Sequence, residues 1–344
     1  MKKLFLSLVA AIVAATATYA QSSLLATLSH EGTISTYYGA SALREAHEAA
    51  ANGDIITLSS GSFLSVDITK GITLRGAGWE VDEVNHNEPT VILGDFNINI
   101  PTETTERLTI EGIYYNGTIK YKGTLQNATF LKSRFNTIKN YGNGTSVMQN
   151  VTFIHCRVSN QLYLTANCSA ACINCVIWNP TTYNTTSSNF ECVNCVLYQG
   201  SFNWIGFTSS SLKSCVLIAD QSYPIPSTTT VFNCVGFYKS FYNNNSTYAL
   251  FANVPNSTNT ALGTNSPFKT YTTGSDYNDS EKFELTDEAK TKYLGIDGTQ
   301  VGLYGGTLPF SSTPSNPQIT KCNVAAKSTA DGKLSVDITV NGAE

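Results

Sequence analysis

Five cysteines, Cys156, Cys175, Cys195, Cys215 and Cys234, follow one another at intervals of 19, 20, 20 and 19 residues. Each lies in a short apolar run directly after a polar or small residue: His155, Asn174, Asn194, Ser214 and Asn233. A period this constant means stacked structural units, since a unit of about 20 residues cannot bury an apolar face alone and needs neighbours to complete it. The apolar pattern lacks a helical period, and the spacing fits one coil of three short strands and three turns. Parallel strands buried inside such a coil account for both features.

Seven eight-residue frames, beginning at Leu108, Ala128, Val151, Ala170, Phe190, Ser210 and Thr229, make the repeat explicit. Position three reads Ile110, Phe130, Phe153, Cys172, Cys192, Leu212 and Val231. Position six reads Ile113, Ser133, Cys156, Cys175, Cys195, Cys215 and Cys234. Position eight is Tyr115, Phe135, Val158, Ile177, Leu197 and Leu217, with Gly236 breaking the column. These three columns are the expected core. Position five holds Gly112, Lys132, His155, Asn174, Asn194, Ser214 and Asn233. A tight turn belongs there, because Asn and Gly tolerate left-handed backbone angles.

The chain opens with Met1-Lys2-Lys3, an apolar run from Leu4 to Ala15 and small residues up to Ala20. This is the pattern of a signal peptide over residues 1–20, so export to the medium or the cell surface is expected. No later stretch has the roughly 18 apolar residues of a membrane span. Ser41 to Ala51 reads as a helix stopped by Asn52-Gly53, placed to close the open end of a solenoid. Next come Gly53-Asp-Ile-Ile-Thr-Leu58 and Ile72-Thr-Leu-Arg-Gly76. The helix and these two phrases resemble the opening of right-handed parallel β-helix proteins, the pectate-lyase-like superfamily, with the likeness running over residues 36 to 250. It implies an all-β, single-stranded right-handed parallel β-helix over residues 21–250. An irregular extension is expected over 251–317, with a short helix from Asp287 to Tyr293 capped by Thr286. Strands over 318–344 turn at Asp331-Gly332. The glycine-rich string Gly295 to Gly306 is similar to a segment found after the coils in secreted bacterial β-helix proteins of unassigned role.

Charged residues make up only 13% of the chain and the net charge is −4, with no basic run. Nothing here favours nucleic acid as a partner. The pairs Cys172-x-x-Cys175 and Cys192-x-x-Cys195 have the spacing of a four-cysteine zinc site. Both fall on positions three and six, however, where other coils carry Phe153, Leu212 or Ile113. Free thiols filling core volume are therefore expected, with no metal and no cofactor.

The resemblance raises polysaccharide lyase or hydrolase chemistry, which needs paired carboxyls or a base beside a cation. Between Gly112 and Gly274 the acidic residues are Glu191 and Asp220, at different frame positions. Lys132, Arg134, His155 and Arg157 form a cationic group in adjacent coils, the weak candidates for chemistry on an acidic polysaccharide. Several Asn-x-Ser/Thr triplets, at Asn116, Asn127, Asn150, Asn184 and Asn256, follow from composition and carry no role. The main expectation is a non-catalytic, adhesin-like protein binding a polysaccharide or a cell-surface protein, with a purely structural spacer as a further alternative. Its binding face would be the outward stripe Val176, Val196, Val216 and Val235 with Trp178, Tyr198 and Ile218, an aromatic platform suited to sugar faces. The competing expectation is that the C-terminal segment lies over this stripe.

Overall fold

The computed structural model describes residues 24–81, 88–142, 146–165, 167–182, 189–199, 210–240, 244, 249–254, 258–271, 278, 280–315, 317–325, 327–329 and 331–341. The expected signal peptide and the triplets at Asn184 and Asn256 lie outside them, as does most of the expected surface loop 181–188. The described chain winds into a parallel β-solenoid of about eight turns. It opens with an antiparallel hairpin, β1 (Leu25–His30) and β2 (Thr33–Tyr38). Strand β1 pairs antiparallel with Ile55–Leu58, and from there one sheet adds a parallel strand per coil up to Thr230–Phe232. A second long sheet runs from Gly61–Leu64 to Thr260–Ala261.

The frames fall into register as the repeat requires. Ile110, Phe130, Phe153, Cys172, Cys192, Leu212 and Val231 are successive Cα partners across the first sheet. Tyr115, Phe135, Val158, Ile177, Leu197, Leu217 and Gly236 do the same across the second. All seven position-five residues sit between the two sheets with φ between +45° and +65°. Only Gly adopts this region without cost and Asn nearly so, which explains the column's composition.

The cysteine column does more than fill space. Cys156 Sγ donates to Ile154 O at 3.3 Å, and its backbone N–H donates to Cys175 Sγ at 3.3 Å in the next coil. Cys175 repeats both bonds, toward Ile173 O and Cys195 Sγ. Cys195 Sγ donates to Val193 O, and Cys215 N–H donates to Cys234 Sγ. Ser133 takes this role in the preceding coil, bonding Leu131 O and accepting from Ile113 N–H. The left-handed turn leaves one backbone N–H per coil inside the core, and the side chain of the next coil accepts it, while its own proton goes to a carbonyl that also takes a backbone N–H, as Ile173 O does from His155. Column six is thus a hydrogen-bonded ladder, where apolar filling alone was expected.

Both ends are finished by particular residues. Helix α1 (Ala42–Ala49) buries Ala42, Leu43, Ala46 and His47 over the first coil. Its last turn is closed by Lys70, whose Nζ reaches the carbonyls of His47, Glu48 and Ala50 at 2.6–2.9 Å. At the far end Leu250 and Phe251 seal the last coil. A Cβ on Gly236 would lie 2.3 Å from Leu250 Cδ2, which is why the column breaks there. Helix α2 (Asp287–Lys292) starts where expected, with Thr286 Oγ1 accepting from Ala289 N–H. The last described element is an antiparallel hairpin of Gln318–Val324 and Val336–Asn341, which pairs with no other described strand.

Candidate functional site

Position seven runs up the outside of the second sheet as Tyr114, Arg134, Arg157, Val176, Val196, Val216 and Val235, each the register partner of the next. Strand geometry turns these side chains away from the coil interior, as expected. Yet Val176, Val196 and Val216 are 0% exposed and Trp178 is 7% exposed. A second apolar core encloses them, supplied by Phe268, Tyr271, Phe283, Leu285, Val301 and Leu303. The expectation of an open aromatic platform at Trp178, Tyr198, Val176, Val196 and Val216 is thus corrected. Leaving that much contiguous apolar surface wet costs more than ordering the chain that covers it. Trp178 and Tyr198 do stack, with centroids 3.8 Å apart and planes within 8°. Tyr198 alone of the five stays half-buried, its hydroxyl donating to Asp220 at 2.7 Å with Lys239 5.4 Å from its ring. The cover is drawn from described residues between Leu262 and Phe310.

From Leu294 onward this segment becomes a strap over the column of left-handed turns, running broadly opposite to the order of the coils. Asn233 Nδ2 donates to Leu294 O, and Ser214 accepts from Ile296 N–H on its hydroxyl and from Gly302 N–H on its carbonyl. Asn174 Nδ2 donates to both Leu303 O and Gly305 O at 2.8 Å. His155 Nε2 donates to Leu308 O at 3.0 Å, and its ring packs on Phe310. The strap ends against Glu111, whose Oε1 accepts from Ser315 N–H at 2.7 Å while Oε2 faces Arg75 at 3.4 Å. Gly306 is a steric necessity: at φ +83°, a Cβ there would lie 2.4 Å from Asn194 Nδ2.

The cationic group is divided by this cover. Arg157 is buried, with Nη2 donating to Glu281 O at 2.6 Å and its guanidinium between the rings of Trp79 and Phe283. His155 is buried with Nδ1 lacking a hydrogen-bond partner among the described residues, and burial holds its pKa below the usual value. Neither can meet a substrate. Arg134 lies 4.3 Å over the Tyr114 ring and donates to Ser159 Oγ, and Lys132 stays half-buried at its turn. Among the described residues no group of His, Cys, Asp and Glu is placed to hold a metal ion. The thiols of Cys175, Cys192 and Cys215 are pushed up by burial.

A different row remains on the surface. Asn97, Lys120 and Lys139 are successive register partners on the outer side of three coils, and Tyr163 follows the next pair, Ile138 with Leu162. All four are half-buried and alternate with core residues such as Phe96, Ile119, Ile138 and Leu162. Asp95 neutralises Lys120 at 2.9 Å, accepts from Thr118 N–H, and is held below the usual carboxylate range by these bonds. Lys139 makes no ion pair among the described residues. The row lies past position nine of the repeat, beyond the columns that the frames define. A signal for it was nonetheless present: residues 112–190 contain Lys120, Lys122, Lys132, Arg134, Lys139 and Arg157 and not one Asp or Glu.

Comparison with models of protein families, with curated proteins and with solved structures gives no match to this chain.

Proposed function

We propose that this is an exported, non-catalytic β-solenoid of the pectate-lyase-like kind that holds an acidic glycan along the row Asn97, Lys120, Lys139 and Tyr163, in the manner of an adhesin. The observation that carries the reading is the acid-free stretch 112–190, whose basic side chains outside the strap stand on the surface of a chain with net charge −4. Lys120 is already paired with Asp95, which leaves its register partner Lys139 as the cation of the row without an ion pair among the described residues. A carboxylate or sulfate of a ligand beside Lys139 gives it a charge-assisted partner. At the row's first strand the Asn97 amide donates to Asp67 at 3.0 Å, so contact with a glycan centres on Lys139. Four strands span about 14 Å at the usual spacing, enough for a short run of a polymer laid along the solenoid axis.

Enzymatic action on the same class of polymer is the weaker reading. Of its candidates, His155 lies under the strap and Arg157 is buried against Glu281 and Phe283, while Glu191 and Asp220 are engaged by Lys213 and Lys239.

The test is affinity electrophoresis or calorimetry of the purified protein with a polyuronate, a sulfated glycan and a neutral glucan. Binding to an acidic polymer that weakens about tenfold in Lys139→Gln and falls with added salt is expected. Equal binding by Lys139→Gln, or preference for the neutral glucan, would sink the assignment.

A further inference from the structure

The two ends of the first sheet are treated differently. At the far end the free edge of Thr230–Phe232 is blunted by side chains standing in for an absent strand. Asn259 accepts from Cys234 N–H and donates to Val231 O, both at 2.9 Å, and Thr258 Oγ1 accepts from Asn233 N–H. At the near end the sheet terminates in β2, and no described strand or capping side chain meets its outer edge. The strand reads Thr-Ile-Ser-Thr-Tyr-Tyr, uncharged, free of proline and rich in β-formers, with Ile34 69% and Tyr38 62% exposed. Edges of this kind are normally defended by charge, a bulge or a cover.

The geometry of this edge is self-complementary. Gly39 N–H bonds Leu24 O, so the backbone groups of Tyr37, Ser35 and Thr33 turn toward β1. By the alternation of antiparallel ladders those of Ile34, Thr36 and Tyr38 turn outward. A second β2 laid antiparallel against it can use these groups in one two-fold register. Thr36 then faces Thr36, and Ile34 faces Tyr38 of the other copy, twice. The two large exposed apolar residues thereby meet as β-branched and aromatic cross-strand partners. Because the contact uses the same edge of both copies, it is closed at two copies and cannot run on as a filament.

We infer that β2 is the surface through which two copies of this chain pair, joining their first sheets end to end about an axis at Thr36. The pairing adds about six backbone hydrogen bonds and covers Ile34 and Tyr38.

Sedimentation of the full chain over a range of concentrations, with two double variants, tests the interface and its register together. Ile34→Asp with Tyr38→Asp sets like charges opposite each other and should weaken the dimer about tenfold or more. Ile34→Lys with Tyr38→Asp sets opposite charges face to face and should keep it. Thermal melts check that both variants stay folded. A wild-type chain that is monomeric at every concentration overturns the inference, whether or not β2 then captures an extended peptide of another protein. Equal behaviour of the two variants overturns the register and the site.

Discussion

Cys175 receives an N–H from the coil below and gives its proton to a carbonyl of its own coil. Ser does the same at position 133, so Cys175→Ser should change stability by less than about 1 kcal/mol, while Cys175→Ala strands the buried Cys156 N–H, leaves a small void and should cost about 2–3 kcal/mol. Chemical denaturation of the two variants side by side distinguishes a bonded ladder from a filler column, which predicts the opposite order. His155 and His47 set the acid limit. Both are buried with pKa lowered from 6.5, His47 also taking Thr69 N–H on Nε2. A histidine whose folded pKa is depressed contributes its full stability above the unfolded value near 6.5, and loses it as pH falls toward the folded value. The melting temperature should therefore drop as pH falls below about 6.5, offset in part by His30, whose bond to Asp54 raises its pKa. His155→Asn should flatten some of that slope at little cost, since Asn holds the same turn in three other frames and at position 174 bonds the strap as His155 does. A slope unchanged in this variant would show that the strap contact does not sense pH.

At the scale of elements the decisive object is the strap with the segment before it. Val216 touches Gly302 across the seam, where a Cβ on the glycine would come within 2.9 Å of Cγ2. Val216→Asp buries an unpaired carboxylate there and should cost about 3–5 kcal/mol, with exposed apolar surface reported by dye binding. If the strap were a loose tail, this change would be nearly silent. Its contacts also mark the limit of what the sequence discloses. Columns three, six and eight could be read directly because parallel in-register strands force one coil's requirement on the next, so the pattern is written seven times. The short helix after residue 286 was equally readable from Thr286 and its acidic first turn. What covers the valines is written once. Phe268, Phe283 and Leu303 have no period, and Asn174 bonds a carbonyl 131 residues away. Outward valines in a column show that something must cover them or bind them, and period alone does not say which. The Asn97, Lys120, Lys139 and Tyr163 row was legible as charge and not as place, because the bulges between Phe135 and Thr137 shift the count after position eight.

For the whole molecule, a solenoid behaves as a one-dimensional stack in which each coil is supported by two neighbours. Coils joined only to each other can be added or removed at modest cost. Here the strap bonds to turns at 233, 214, 174 and 155 and ends on Glu111, so it passes each rung nearly in sequence. Excising residues 170–189, one full coil, should preserve a parallel β spectrum yet lower the melting temperature by several degrees or more, because the strap is then one rung too long. An excision as stable as the wild type would show the strap to be indifferent to its rungs. The position-five residues thus act as the graduations of a ruler. A duplication or loss of one repeat, an accident to which tandem genes are prone, leaves the strap mismatched unless it changes length in the same event, so the number of coils in this protein is inherited as a gauge set by its own tail.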